Sequence, residues 1–113
     1  MAYTVVTPSG STNGKNVKVT GTNTGTAVTF HTADATAQDE VTLFAANTSA
    51  TDVILTVEAG GTTSPDDHIK KTIPANSVVL VIPGVRYTGS VVIKAFAATG
   101  DVINLFGNVN RVT

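Results

Sequence analysis

From residue 41 onward, apolar and polar side chains alternate one by one, the two-residue period of a β-strand with one face on a core. In Val41 to Ala46, Val41, Leu43 and Ala45 alternate with Thr42, Phe44 and Ala46. In Val53 to Glu58, Val53, Leu55 and Val57 oppose Ile54, Thr56 and Glu58. Further runs at Ile69 to Ile73, Ser77 to Ile82, Val91 to Ala97 and Val102 to Phe106 are rich in β-branched residues. The stretches between them, NTSATD, GGTTSPDD, PANS, PGVRYTG and ATGD, carry the chemistry of turns. Pro74 and Pro83 fall at strand ends, where a missing N–H costs least. No segment holds helical spacing over three turns. About eight or nine short strands predict an all-β chain forming a single antiparallel β-sandwich, jelly-roll-like or immunoglobulin-like, with the strand order open.

The first third is different. TPSGSTNGKNVKVTGTNTGT (Thr7 to Thr26) is dominated by Gly, Ser, Thr and Asn and buries little. Residues 1–15 are expected to form an N-terminal arm or edge strand, and residues 16–113 the sandwich domain. Within 16–25 the pattern fits a thin hairpin turning at Gly21 to Gly25, or a set of surface loops. ATAQDE (Ala35 to Glu40) is expected to be a polar connector with one helical turn.

Several later strands break the rule that one face of an antiparallel sheet is wet. In SVVLVIP, strict alternation sends Val78, Leu80 and Ile82 one way and Val79 and Val81 the other. In SVVIKAFA, Val91, Ile93 and Ala95 oppose Val92, Lys94 and Phe96, and in the last run Ile103 and Leu105 oppose Val102, Asn104 and Phe106. Contiguous outward apolar surface calls for a cover. Either the arm and loops of the same chain supply it, or another subunit does. The residues expected at a subunit contact are Phe44, Val79, Val81, Val92 and Phe96.

Composition strengthens the second option. Charged residues make up 13% of the 113-residue chain, against about 25% in ordinary domains. A neutral, Thr-rich surface suits a protein held in an assembly, where desolvating charge costs affinity. The seven basic residues are scattered, with Lys70-Lys71 the one adjacent pair, so no nucleic-acid partner is expected. No run approaches the roughly 20 apolar residues of a membrane span, and MAYTVVTPSG lacks the features of a secretory signal. No membrane partner is expected, and the chain is expected to be soluble and unprocessed. With no cysteine there is neither a disulfide nor a thiolate metal site.

Catalytic chemistry is thinly supplied. GxSxG, the P-loop, GxGxxG and HExxH are missing, so no catalytic residue, cofactor or metal is predicted and the chain is read as not an enzyme. SPDDHIKK (Ser64 to Lys71) is the densest polar cluster. Asp66, Asp67 and His68 have the donor chemistry of a cation site, but Ser-Pro-Asp-Asp is equally an ordinary turn, the reading favoured here. His31 is expected to be a strand-end or interface histidine. Tyr3, Tyr87 and Arg86 are the residues available to stack on a sugar, with Tyr87 favoured as a turn residue packing over a sandwich end.

Three stretches carry a family likeness: VTLFAANTSATDVILTVEAGG, IPANSVVLVIPG and INLFGNVNRVT. An apolar strand ending in Ala-Asn-Thr, a Pro-Ala-Asn turn before a Val/Leu strand and a Gly-x-x-Asn-Arg tail resemble small structural proteins of tailed-phage virions. The resemblance covers residues 40–113. It implies a sandwich built into or onto a capsid as a decoration or head-fibre component. Such a protein would be made in the host cytoplasm, homotrimeric, and bound to a major capsid protein or another virion protein. It brings no catalytic residues with it. The alternative is a glycan- or receptor-binding module.

Overall fold

The computed structural model describes residues 2–113. Nine strands follow in order: β1 (Tyr3–Val6), β2 (Val17–Val19), β3 (Val28–Thr32), β4 (Gln38–Asn47), β5 (Val53–Ala59), β6 (His68–Ile73), β7 (Val78–Tyr87), β8 (Val92–Ala97) and β9 (Ile103–Val112). They form two antiparallel sheets. Sheet A has the order β1-β9-β4-β7, with β2 also paired to β9, and sheet B has the order β3-β8-β5-β6.

The pairs are nested. β5 pairs β6, β4 pairs β7, β3 pairs β8 and β2 pairs β9, and successive pairs fall in alternate sheets. A long two-stranded ribbon rolled up on itself gives this arrangement, an eight-stranded jelly roll with β1 added at the edge. It decides between the two topologies the strand pattern left open.

Alternation does the folding work in β4. Val41, Leu43 and Ala45 are fully buried, and the intervening residues are only partly so. Val53, Leu55 and Val57 of β5, Ile93, Ala95 and Ala97 of β8, and Ile103, Leu105 and Val109 of β9 meet them in one core between the sheets. β9 approaches β4 so closely at Gly107 that a Cβ there would lie 1.9 Å from the Thr42 carbonyl oxygen. Only glycine fits.

Strict alternation fails in two edge strands, and bulges explain both failures. In β7, Leu43 pairs Ile82 but Phe44 pairs Leu80, so Val81 is an extra residue; Val41 pairs Val85 and Thr42 pairs Pro83, so Gly84 is another. Gly84 takes a φ of +80°, which suits glycine. The first bulge turns Val79 and Val81 back against the core, while Val78 and Leu80 face out at 59% and 47% exposure. The sequence expectation that Val79 and Val81 project outward opposite Ile82 is therefore corrected. Pro83 does not end the strand. It sits on the outer edge of sheet A, where its missing N–H breaks no ladder, and β7 runs on to Tyr87.

The second failure is in β3. Thr29 pairs Lys94 and His31 pairs Ile93, leaving Phe30 as the extra residue. Consecutive Phe30 and His31 both become buried.

The early segment also differs from expectation. β2 pairs β9 rather than forming a hairpin with its neighbour, because Val17 and Val19 complete the core beside Leu105 and Ile103. Gln38, Asp39 and Glu40 open β4 instead of forming a helical turn. β1 is an edge strand on the far half of β9, and the Gly10 N–H bonds the Phe30 carbonyl.

The motifs behind the family likeness hold the fold. Asn47 of Ala-Asn-Thr is buried; its amide donates to the Thr51 and Ile73 carbonyls and its oxygen accepts from Ser49. It ties the end of β4 to β6 of the other sheet. Asn76 of Pro-Ala-Asn supplies the left-handed residue (φ 53°) of the turn into β7.

A lysine tests the bulge in β7. Val81→Lys should lower the unfolding free energy of the domain by about 2 kcal/mol, because it drives a charge into the core rim. Urea unfolding reads this directly; an unchanged midpoint would put the side chain in solvent.

Candidate functional site

Three places on this frame bring chemistry together. The first is enclosed. The bulge at Phe30 aims His31 at Asp39, with Nε2 2.8 Å from Oδ2, and both residues are essentially buried. The Ser9 backbone N–H donates to Nδ1 at 3.0 Å, which leaves the ring proton on Nε2 to donate to the carboxylate. Arg111 grips the same carboxylate with two parallel bonds, Nε to Oδ1 at 2.8 Å and Nη2 to Oδ2 at 3.0 Å. The Asp34 N–H adds a further bond to Oδ2.

Arg111 and these donors hold the Asp39 carboxyl down at about 2, against the desolvation that would raise it. Asp34, whose own carboxylate accepts the N–H groups of Ala37 and Thr36, is likewise lowered. Both nitrogens of His31 and both oxygens of Asp39 are engaged. The cluster ties the N-terminal segment, β3, β4 and the C-terminal strand into one knot. Its chemistry is structural. The sequence marked His31 and the adjacent carboxylates Asp39 and Glu40 but gave no sign that they meet; Asp39 lay in the assumed connector, and Arg111 lies 72 residues further on.

The second place is the outer face of sheet A. Phe44 lies between Leu80 and Phe106 as direct cross-strand partners, and the two phenyl rings stack with centroids 5.3 Å apart and planes 13° from parallel. Ala46 and Val78 form the adjoining row. Of the residues expected at a subunit contact, this face holds Phe44 only. Val79 and Val81 pack against the core, and Val92 and Phe96 point out from sheet B. The five do not form one surface. Phe106, Leu80 and Val78 are the neighbours that strict alternation either left unmarked or grouped with Ile82.

The third place is the outer face of sheet B, where polar chain folds back over the strands. Glu58 of β5 is fully buried although it points away from the core. Its Oε2 accepts from His68 Nε2 at 3.0 Å and from Thr24 Oγ1 at 2.9 Å, in the 3₁₀ turn Thr24–Thr26. Its Oε1 has no partner among the described residues. The segment around Thr22 and the 60–67 loop thus form walls over the sheet. Between them opens a cavity of about 340 Å³, with Phe96 and Thr56 among its lining residues. The Phe96 ring meets the His68 imidazole edge to face at 6.2 Å.

Within SPDDHIKK, Ser64 to Asp67 form a turn and His68 to Lys71 open β6. Asp67 accepts the Thr63 N–H, and the His68 N–H bonds the Pro65 carbonyl. His68 turns toward Glu58, and no group of three or more metal-ligating side chains converges among the described residues. Tyr3 and Tyr87 lie on opposite edge strands of sheet A, with Tyr87 packed against the core. Burial pushes its phenol pKa up. Arg86 pairs with Glu40 at 3.5 Å. These three residues build no common platform.

Compared with protein-family models, curated proteins and solved structures, the chain matches none.

The Asp39 knot has a pH signature. A carboxyl lowered from 3.8 to about 2 in the folded state contributes stability that is present above the unfolded pKa and is lost as pH falls through about 2. The contribution is about 2 kcal/mol. Arg111→Gln should remove most of it, so that urea unfolding free energies of variant and parent differ at pH 6 and converge toward pH 2.

Proposed function

We propose that this chain is a non-enzymatic structural component of a virion, a capsid decoration or head-fibre protein that works by symmetric association. The observation carrying this reading is the Leu80, Phe44 and Phe106 row with Val78 beside it, on a sheet face away from the core. Burying a few hundred Å² of such surface at roughly 25 cal/mol per Å² is worth several kcal/mol. That is enough to hold like subunits together, with avidity adding more on a repeating lattice.

Three further points support it. The likeness of residues 40–113 to small virion proteins is one. Double-sheet jelly rolls are an architecture of viral capsid domains as well as lectins. The charge content of 13% leaves little to desolvate when the surface is covered. A homotrimer seated on a major capsid protein is the assembly proposed, and the virion its location.

Light scattering behind gel filtration tests this at micromolar concentration. The parent protein should elute at about three times the 11.5 kDa chain mass, and the double variant Val78→Lys/Leu80→Lys as a folded monomer. A parent protein that is monomeric in solution overturns the association mechanism.

A further inference from the structure

We infer that the cavity on the outer face of sheet B is a binding site for a carboxylate-bearing monosaccharide unit, a uronic or sialic acid residue. This goes beyond the assembly reading and does not rest on it, since the two surfaces lie on opposite faces of the sandwich.

Register sets the geometry. Lys70, Thr56 and Phe96 are direct cross-strand partners on β6, β5 and β8, so they stand side by side in one row on the outer face. The row spans about 10 Å, two inter-strand spacings. It presents an ammonium at one end and an aromatic ring at the other, with the buried Thr56 as the floor between them. Thr22 and Ser64 bring two more hydroxyls from the overlying segments, and His68 stands beside the row. The volume of about 340 Å³ lies in the range of small-ligand sites.

A pyranose ring has the matching chemistry: an apolar C–H face for Phe96 and a rim of hydroxyls for Thr22 and Ser64. The exposed Thr22 and Ser64 side chains make no hydrogen bond to another described residue, and the Lys70 ammonium makes no ion pair among the described residues, so these three remain available to a ligand. Lys70 is the one Lys, Arg, Asp or Glu among the lining residues. A single lysine suits a monoanionic carboxylate, whereas phosphate is typically met by several cations or a bidentate arginine.

The Glu58 contacts explain how the site is kept open. Glu58 is buried beneath the face and holds both walls: Thr24, from the segment that carries Thr22, and His68, at the end of the loop that carries Ser64. His68 is fixed through Nε2, which leaves its Nδ1 edge unbonded. The face is thereby preorganised for a ligand, and binding does not have to order it.

NMR titration of the isotope-labelled full chain with D-glucuronate, D-glucose and acetate tests the inference. Glucuronate should shift the amides of Thr22, Thr56, Ser64 and Lys70 and saturate in the millimolar range, the affinity of about −4 kcal/mol expected for one sugar. Glucose and acetate should each bind at least about fivefold more weakly, since each lacks one half of the recognition. Lys70→Gln, at an exposed site that leaves the fold intact, should weaken glucuronate about fivefold and leave glucose unchanged. Phe96→Leu should weaken both sugars and leave acetate unchanged. No shifts at these amides up to about 50 mM glucuronate, ten times or more the expected dissociation constant, would overturn the site. Equal binding of glucose or of acetate, or a Lys70→Gln variant with parental affinity, would overturn the ligand class.

Discussion

A strand that must bury one face has no freedom over the other, and only an inserted residue can change which side chains go where. Two edge strands of this sandwich use that freedom. In β7 the extra residue Val81 returns two valines to the core rim and leaves Leu80 on the outside opposite Phe44. In β3 the extra residue Phe30 buries itself and delivers His31 to Asp39. The extra residues all belong to edge strands, whereas the ladder between the central strands β4 and β9 runs unbroken from Gln38 to Asn47. The regular strands set the frame, and the irregular edges set the surfaces.

Buried carboxylates then fasten the polar third of the chain to that frame. Segments rich in Gly, Ser, Thr and Asn bury too little to fix themselves. Asp39 draws in Ser9 through His31 and the C-terminal strand through Arg111. Glu58 draws in Thr24 and His68 over the opposite sheet. Each carboxylate sits beside the apolar residues of its strand and is compensated by donors from distant parts of the sequence, which is how a buried charge becomes tolerable. Asp39 has a full set of donors and closes a knot. Glu58 keeps one oxygen unpartnered among the described residues and braces an open cavity.

The two sheets thereby acquire different outer faces. Sheet A presents apolar rows suited to a flat contact with another subunit. Sheet B presents walls, hydroxyls, an aromatic ring and a lysine around a hollow of monosaccharide size. In the proposed assembly the first face is covered by another subunit and the second is left open to the medium.

Much of this was legible along the chain. The period-two alternation located the strands from β4 to β9, the inward residues of β4, β5, β8 and the start of β9, and the sandwich class, because a side chain's face follows directly from its parity in a regular strand. Asn47, Asn76 and Gly107 stood in recognisable motifs because turns and close approaches demand particular residues. Parity carries no mark of a bulge, so Val79 and Val81 were assigned to the wrong face. Nor does it disclose that β2 lies beside β9, that Arg111 meets Asp39 or that Lys70, Thr56 and Phe96 share a row. Those are pairings between residues far apart in the chain, and only the rolling of the ribbon into two packed sheets brought them within bonding distance.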